Sequence, residues 1–311
     1  MAVQTKSPGI DYHRRVERAN LVKGLIFISP AIIGFLAFTL FPVVSSFYFS
    51  LTNYNILQPP SMVWLDNYKS LFQDKMFIKA LQNTMYMVFI GLPIHLVFDL
   101  SVALLLNAKV RALSVLRTIF YMPSITPVVA GTVLWLLIFN GRIGLLNAAL
   151  NIFGIQPIGW LADPNWMKPA FILMTMWAGG QTILILLAGL QDVPTEELES
   201  ADLDGAGPWS KMWNITLPTI SPVMFYLLIL SLIGYFQIFT EAYVLTADRS
   251  GGNLGGPGQS LLFYALYLYQ QAFQNFNMGY ASAMAWVLLL IVLVATYILF
   301  RTSGWVYYRS E

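Results

Sequence analysis

The chain has 311 residues, of which 57% are hydrophobic and only 10% charged, with 17 Lys and Arg against 15 Asp and Glu. A water-soluble domain carries about 25% charged residues, so a fold bounded by water on all sides is excluded, and the net charge of +2 singles out no partner. Cysteine is absent, which excludes a disulfide framework, a thiolate metal site and a cysteine nucleophile.

A basic tail with Arg14, Arg15, Arg18 and Lys23 precedes the first apolar stretch, Leu25–Leu51. The stretch is too long for the apolar core of a secretory signal and no small-x-small cleavage site follows, so it reads as a retained membrane helix. Crossing a bilayer takes about 20 mostly apolar residues. Six stretches qualify, at about 22–50, 79–107, 113–139, 167–190, 213–246 and 277–303. Their interiors are hydrophobic on every side, which suits lipid and helix neighbours rather than water. Pro30, Pro42, Pro123, Pro127 and Pro222 fall inside the spans or at their ends, where neighbouring helices can satisfy the freed carbonyls. The expected fold is therefore an all-α integral membrane protein of six transmembrane helices.

With the N-terminus inside, eleven of the 17 Lys and Arg lie in inner segments, including Lys109, Arg117 and Lys211. That bias predicts that both termini are cytoplasmic. Tyr48, Tyr54, Trp64, Trp160 and Trp166 then fall near outer helix ends, as an interfacial belt requires. Among the outer loops, Gly144–Gly154 can form a short helix lying on the outer face. Asp248–Gly258 is glycine-rich, but no Lys follows it, so it reads as a flexible turn rather than a phosphate cradle.

Ionisable groups inside a membrane are costly and mark function by default. His95 and Asp99 are four residues apart and share one helix face, where the favoured reading is a structural pair bridging to a neighbouring helix. Gln181 follows the helix-loosening pair Gly179-Gly180, and Tyr235, Gln237 and Glu241 cluster in the outer half of the fifth span. Planar polar groups and aromatic rings of this kind can hydrogen-bond and stack on a polar substrate. Helix–helix hydrogen bonding is an equal alternative for each.

The remaining signal is the segment from Asp192 to Pro218. Six of the 15 acids lie between Asp192 and Asp204, with Lys211 as the single base of the segment. Pro194 suits a first helical turn, and Glu196 and Glu197 favour a helix N-terminus. Leu198, Ala201 and Leu203 are expected to form an apolar stripe, Gly205 to end the helix, and Gly207-Pro208 to start a second short helix carrying Trp209 and Trp213. An acidic helix is repelled by the negative inner leaflet, so a protein partner is the better expectation.

"EELESADLDGAGPWSKMWNITLP" resembles the EAA loop of the permease subunits of binding-protein-dependent ABC importers. The spacing of Glu199, Ser200 and Ala201, then Gly205, then Ile215, Leu217 and Pro218 matches that family's pattern, with Ser200 replacing its first alanine. Leu116–Phe139 and Met278–Arg301 look like the matching spans of carbohydrate importers, of the larger maltose permease and glycerol-3-phosphate permease type. The resemblance implies a MetI-like permease fold in a bacterial or archaeal cytoplasmic membrane. It also implies a tail at 1–21, a permease domain at 22–304 with its coupling loop at 192–218, and a second tail at 305–311.

Further implications concern partners and sites. The resemblance assigns Glu199, Ser200, Ala201, Asp204, Gly205, Ile215, Leu217 and Pro218 to coupling with an ATPase. Approximate alignment with the maltose permease puts Gln181, Ser231 and Tyr235 on a substrate path, beside Gln237 and Glu241. The implied partners are a second homologous permease, two ATPase subunits, an extracytoplasmic sugar-binding protein and the bilayer, with no nucleic acid. No G-x-x-x-x-G-K-[ST] loop is present, so ATP and Mg are expected on the partner ATPase, with no cofactor on this chain, which is not expected to be an enzyme. Two other classes make different demands. A proton-coupled carrier would use Asp99 or Glu241 as a relay and commonly shows internal repeats, and a membrane scaffold would have no substrate path.

Overall fold

A computed structural model describes residues 10–108, 113–247 and 254–307. The expected tails at 1–9 and 308–311, Lys109, and residues 248–253 of the glycine-rich stretch lie outside the described residues, as do the side chains of Arg14 and Arg15.

The chain is almost wholly helical. Helices α1 (Ile10–Phe35) and α2 (Phe41–Ser50) run on through one π turn, Leu36–Leu40. A two-residue hairpin follows, β1 (Thr52–Asn53) pairing antiparallel with β2 (Ser61–Met62), then α3 (Asp66–Gln73). Next come α4 (Lys75–Tyr86), α5 (Leu92–Asn107), α6 (Leu113–Ile125), α7 (Val128–Ile138) and the short α8 (Leu145–Ile152). Helices α9 (Pro164–Trp177), α10 (Gly180–Gln191), α11 (Thr195–Leu203), α12 (Pro208–Lys211) and α13 (Leu217–Phe236) follow, and then α14 (Thr240–Thr246), α15 (Tyr264–Tyr269) and α16 (Met278–Arg301).

Among the described residues, four helices are long and apolar enough to cross a membrane: Asn20–Ser50, Lys75–Asn107, Pro208–Thr246 and Met278–Trp305. Two bent pairs bring the number to six if each counts as one span. The stretches expected at 113–139 and 167–190 are thus broken. Helices α6 and α7 meet at 105°, and α9 and α10 at 53°. Pro127 causes the first bend, because a proline disfavours helical backbone in the residue before it and has no N–H to donate. Its own ψ of 134° is extended. The second break falls at Ala178-Gly179.

The second short helix expected after Gly207-Pro208 is no separate element. From Pro208 the chain passes through α12 and a π turn, Met212–Thr216, straight into α13, so Trp209 and Trp213 ride on the first turns of a membrane helix. That helix ends at Phe236, and residues 237–239 break it before α14. The short helix expected within Gly144–Gly154 is α8, closed by Gly154 at φ +72°.

Two packed clusters hold the bundle. One is built on Tyr264, Phe171, Phe263 and Met87, among the largest fully buried side chains. The other joins α5, α10 and α13 through Val102, Ala103, Leu106, Leu186, Leu190 and Ile220. Lipid tails are as apolar as leucine, so close fit rather than exclusion from water drives such contacts. Gly180 illustrates the fit: a Cβ there would lie 2.6 Å from the Phe120 carbonyl oxygen on α6. The apolar part of Asn20–Ser50, by contrast, is not buried at all within the chain.

Candidate functional site: a cavity at three helix breaks and an acidic loop

The three breaks converge. A cavity of about 420 Å³ is lined by Thr126, Ala178, Gly179 and Ile238, residues at or beside the bends after α6, α9 and α13. Broken helix is tolerated at membrane depth where it is buried in protein or faces a cavity, so the bends and the cavity explain each other. The polar wall comes from His95 on α5, Thr132 on α7, Thr175 on α9, Gln181 on α10, Ser231 and Tyr235 on α13, and Glu241 on α14. Trp135 and Trp177 add aromatic surface, their rings 6.0 Å apart and edge-to-face at 76°.

His95 ties this wall together. Its Nδ1 lies 3.1 Å from the Tyr235 hydroxyl, and its Nε2 is 3.4 Å from Asp99 Oδ2. Asp99 is 0% exposed. The pair therefore does bridge to a neighbouring helix, α13, and the bridge ends on a residue of the cavity wall. Gly179 makes the arrangement possible, since a Cβ there would collide with Asp99 Oδ1 and stand 2.8 Å from His95 Nε2.

Of the five residues singled out for a substrate path, Gln181, Ser231, Tyr235 and Glu241 line this one cavity. Gln237 does not. It is exposed, caps the end of α13, and donates its backbone N–H to the Gly234 carbonyl. Sequence reasoning missed Trp135, Trp177, Thr132 and Thr175. Pro127 was the available signal, because a proline bend in mid-span exposes the flanking turns to a cavity.

The acidic segment is ordered. Helix α11 begins after Pro194, with Glu196 and Glu197 in its first turn, where negative charge complements the helix dipole. Its end is a double hydrogen-bonded stop: Ala206 N–H donates to Ala201 O at 2.8 Å and Gly205 N–H to Asp202 O at 3.1 Å. That geometry is the Schellman motif, which needs a left-handed residue after the cap. Gly205 supplies it with φ +80°.

The loop has two faces. Leu198, Ile215 and Leu217 are partly buried against the α5–α10–α13 cluster, and Ala201 is also half-buried. Glu199, Ser200, Asp204 and Gly205 are exposed, and Pro218 is half-buried. The expected apolar stripe is incomplete, because Leu203 points away and is 91% exposed. Trp209 and Trp213 are likewise exposed, at 73% and 63%. A Lys211 Nζ–Asp202 Oδ1 ion pair of 2.6 Å links α12 to α11. The loop thus exposes three large apolar side chains along with its carboxylates, and exposed apolar surface of this kind marks a contact with protein or membrane. Among the described residues no group of three or more His, Cys, Asp or Glu could hold a metal ion.

A family model for the inner membrane component of binding-protein-dependent transport systems matches residues 100–307, and the chain belongs to that family. Bacillus subtilis has a probable ABC transporter permease protein, YesP, 42% identical over 302 residues and covering 96% of both chains. The arabinooligosaccharides transport system permease protein AraP of the same organism is 35% identical, covering 90% of this chain and 88% of AraP. LacF, the lactose transport system permease protein of Rhizobium radiobacter, is 33% identical and covers 91% and 94%. Among solved structures, a chain of a bacterial alginate ABC transporter, crystallised with an alginate pentasaccharide-bound periplasmic protein, superposes with a TM-score of 0.78 at 25% identity, covering 94% of this chain and 98% of its own.

Proposed function

We propose that this chain is one of two membrane halves of an ATP-driven importer for a sugar or oligosaccharide, in the cytoplasmic membrane of a bacterium or archaeon. Six crossings put both termini and α11 on the cytoplasmic side, with residues 22–304 as the membrane domain. Two ATPase subunits hold ATP and Mg, a second permease completes the pathway, and an extracytoplasmic protein delivers the sugar. The supporting observation for the substrate class is that relatives covering about nine-tenths of the chain are named for arabinooligosaccharide and lactose transport. The amide, hydroxyl, carboxylate and indole groups of the cavity wall suit the same ligand class.

The mechanism follows from connectivity. Helix α10 carries Gln181 at one end and leads through Val193 into α11 at the other. At 1.5 Å per residue its 12 residues form a rod about 18 Å long. The helix starting at Pro208 likewise leads from the loop to Ser231 and Tyr235. Closure of the ATPase dimer displaces α11, and the two rods transmit that displacement to opposite walls of the cavity. The breaks at 178–179 and 237–239 absorb the rotation, as hinges at element ends do. In the docked loop, Glu199, Ser200, Asp204 and Gly205 face the ATPase groove, while Ala201, Ile215, Leu217 and Pro218 fix the loop to the bundle.

The test uses the assembled complex in vesicles. Gln181→Ala, Tyr235→Ala and Glu241→Gln each remove one polar contact or ring, and a lost hydrogen bond of about 0.5–1.5 kcal/mol weakens affinity about two- to tenfold. Uptake should fall while assembly is kept, and Gln237→Ala should leave uptake unchanged. Normal uptake by all three variants removes the cavity from the path. Lost assembly with normal uptake per assembled complex returns the residues to structure.

A further inference from the structure

A second pocket, of about 330 Å³, shares no lining residue with the first. It lies where α2 ends and α4 and α16 begin, which in the six-span topology is the outer end of the bundle. Its volume is at the lower end of the about 300–1,000 Å³ common for ligand clefts. Unlike the first cavity, it has no aliphatic side chain in its wall.

The walls are pinned from behind. Asp74 Oδ2 accepts hydrogen bonds from the hydroxyls of Tyr267 and Tyr280, both at 2.6 Å, and Oδ1 accepts the Met76 N–H at 2.8 Å. Asn67 donates through Nδ2 to the carbonyls of Ser50 and Thr52. Gln271 donates to the Tyr267 hydroxyl and accepts from Asn275 and Asn277. Tyr54 stacks on Phe49 at 4.6 Å. Gly279 lets the start of α16 press against this hairpin, since a Cβ there would collide with the Thr52 carbonyl.

Those bonds leave both donors and acceptors over. The Asn67 amide oxygen and the lone pairs of the Tyr280 hydroxyl remain available to an incoming group. Asn53 and Ser70, both exposed lining residues, make no side-chain hydrogen bond among the described residues. No cation lines the pocket, and its single carboxylate is saturated, so nothing there attracts an anion. A pocket that offers uncharged donors and acceptors side by side matches a neutral ligand carrying several hydroxyl groups, each of which both donates and accepts. A protein side chain is the poorer match, because protein contacts are anchored by buried apolar, aromatic or arginine side chains.

We propose that this outer pocket is a carbohydrate subsite, which holds one neutral sugar unit by its hydroxyls before the chain enters the transmembrane cavity. The proposal rests on the sugar-import reading above. It is tested on the full chain in lipid nanodiscs, without binding protein, by saturation-transfer NMR with arabinotriose, lactose and maltose as probes. Asn53→Ala and Ser70→Tyr suit the purpose, because both positions are exposed and unbonded, so neither change disturbs the fold. The expected result is transfer to at least one probe that either variant weakens about tenfold or more, and that Gln181→Ala and Tyr235→Ala leave intact. Transfer abolished only by the cavity variants overturns the subsite and leaves sugar import standing. No transfer to any probe also overturns it, and uptake by the complete complex then decides sugar import separately.

Discussion

Valine at position 205 should uncouple the loop without unfolding the bundle. Gly205 has φ +80°, and nothing lies within 4 Å of where its Cβ would be, so a side chain there meets no neighbour and the cost is entirely in the backbone. A left-handed residue with a Cβ costs about 1–2 kcal/mol, and a β-branched one falls at or above the upper end. If the turn opens instead, the bonds from Ala206 to Ala201 and from Gly205 to Asp202 are lost, at about 0.5–1.5 kcal/mol each. Either way the closed turn is disfavoured by about 2 kcal/mol, or roughly thirtyfold in population. Asparagine, which enters the left-handed region readily, should behave almost like glycine, and alanine should lie between. Amide hydrogen exchange at Ala206 reads the turn directly, and the ratio of sugar moved to ATP hydrolysed in the assembled complex reads its consequence. The reasoning is refuted if valine and asparagine variants give the same exchange and the same ratio.

Three further outcomes are expected. Glu199→Lys inverts the charge of an exposed residue on α11; if α11 docks on the ATPase as proposed, the variant should weaken copurification of the ATPase or uncouple hydrolysis, with the bundle's melting temperature unchanged. Gly179→Ala drives a methyl group into Asp99 and His95, and overpacking of this kind costs about 1–3 kcal/mol. It should lower thermal stability in detergent, whereas Gly207→Ala, at a position with no neighbour within 4 Å, should not. At Asp74, burial pushes the carboxyl's pKa up, but hydrogen bonds from Tyr267, Tyr280 and the N–H groups of Met76 and Phe77 outweigh it and hold the value below normal. A depressed folded value means stability that is complete above the ordinary aspartate range, about 3.9, and lost as pH falls through the folded value. The melting-temperature gap between the native chain and Asp74→Asn should therefore shrink between about pH 6 and about pH 3; a constant gap would contradict the assignment.

The apolar stretches were legible because membrane helices are hydrophobic on every side, and length alone then delimits them. The bends were less so. Pro127 and Gly179-Gly180 were visible, yet membrane helices absorb many prolines, and Pro30, Pro123 and Pro222 sit inside helices here without breaking them. Which residue bends the chain depends on what packs against it, as at Gly179 against Asp99. Gln237 shows the same limit from the other side: its side-chain type fits a sugar site, but the break after Phe236 turns it outward. The acidic loop was the most legible part. Its helix start, its glycine stop and its exposed acids follow from local backbone chemistry, which short-range sequence carries. Leu203 escaped because the face of α11 that meets the bundle is set by the packing of Leu198 on a distant cluster, which leaves Leu203 91% exposed. The outer pocket was invisible, since its walls come from residues about 220 positions apart, Asn53 and Asn277 among them.

The most direct test of sugar import is uptake of radiolabelled arabinotriose, lactose and maltose into vesicles holding the full complex with its binding protein. ATP is supplied on the side of α11. Uptake of at least one sugar should require both ATP and the binding protein, and should survive collapse of the proton gradient by a protonophore. Uptake that persists without ATP and stops with the protonophore would contradict the account and favour a proton-coupled carrier.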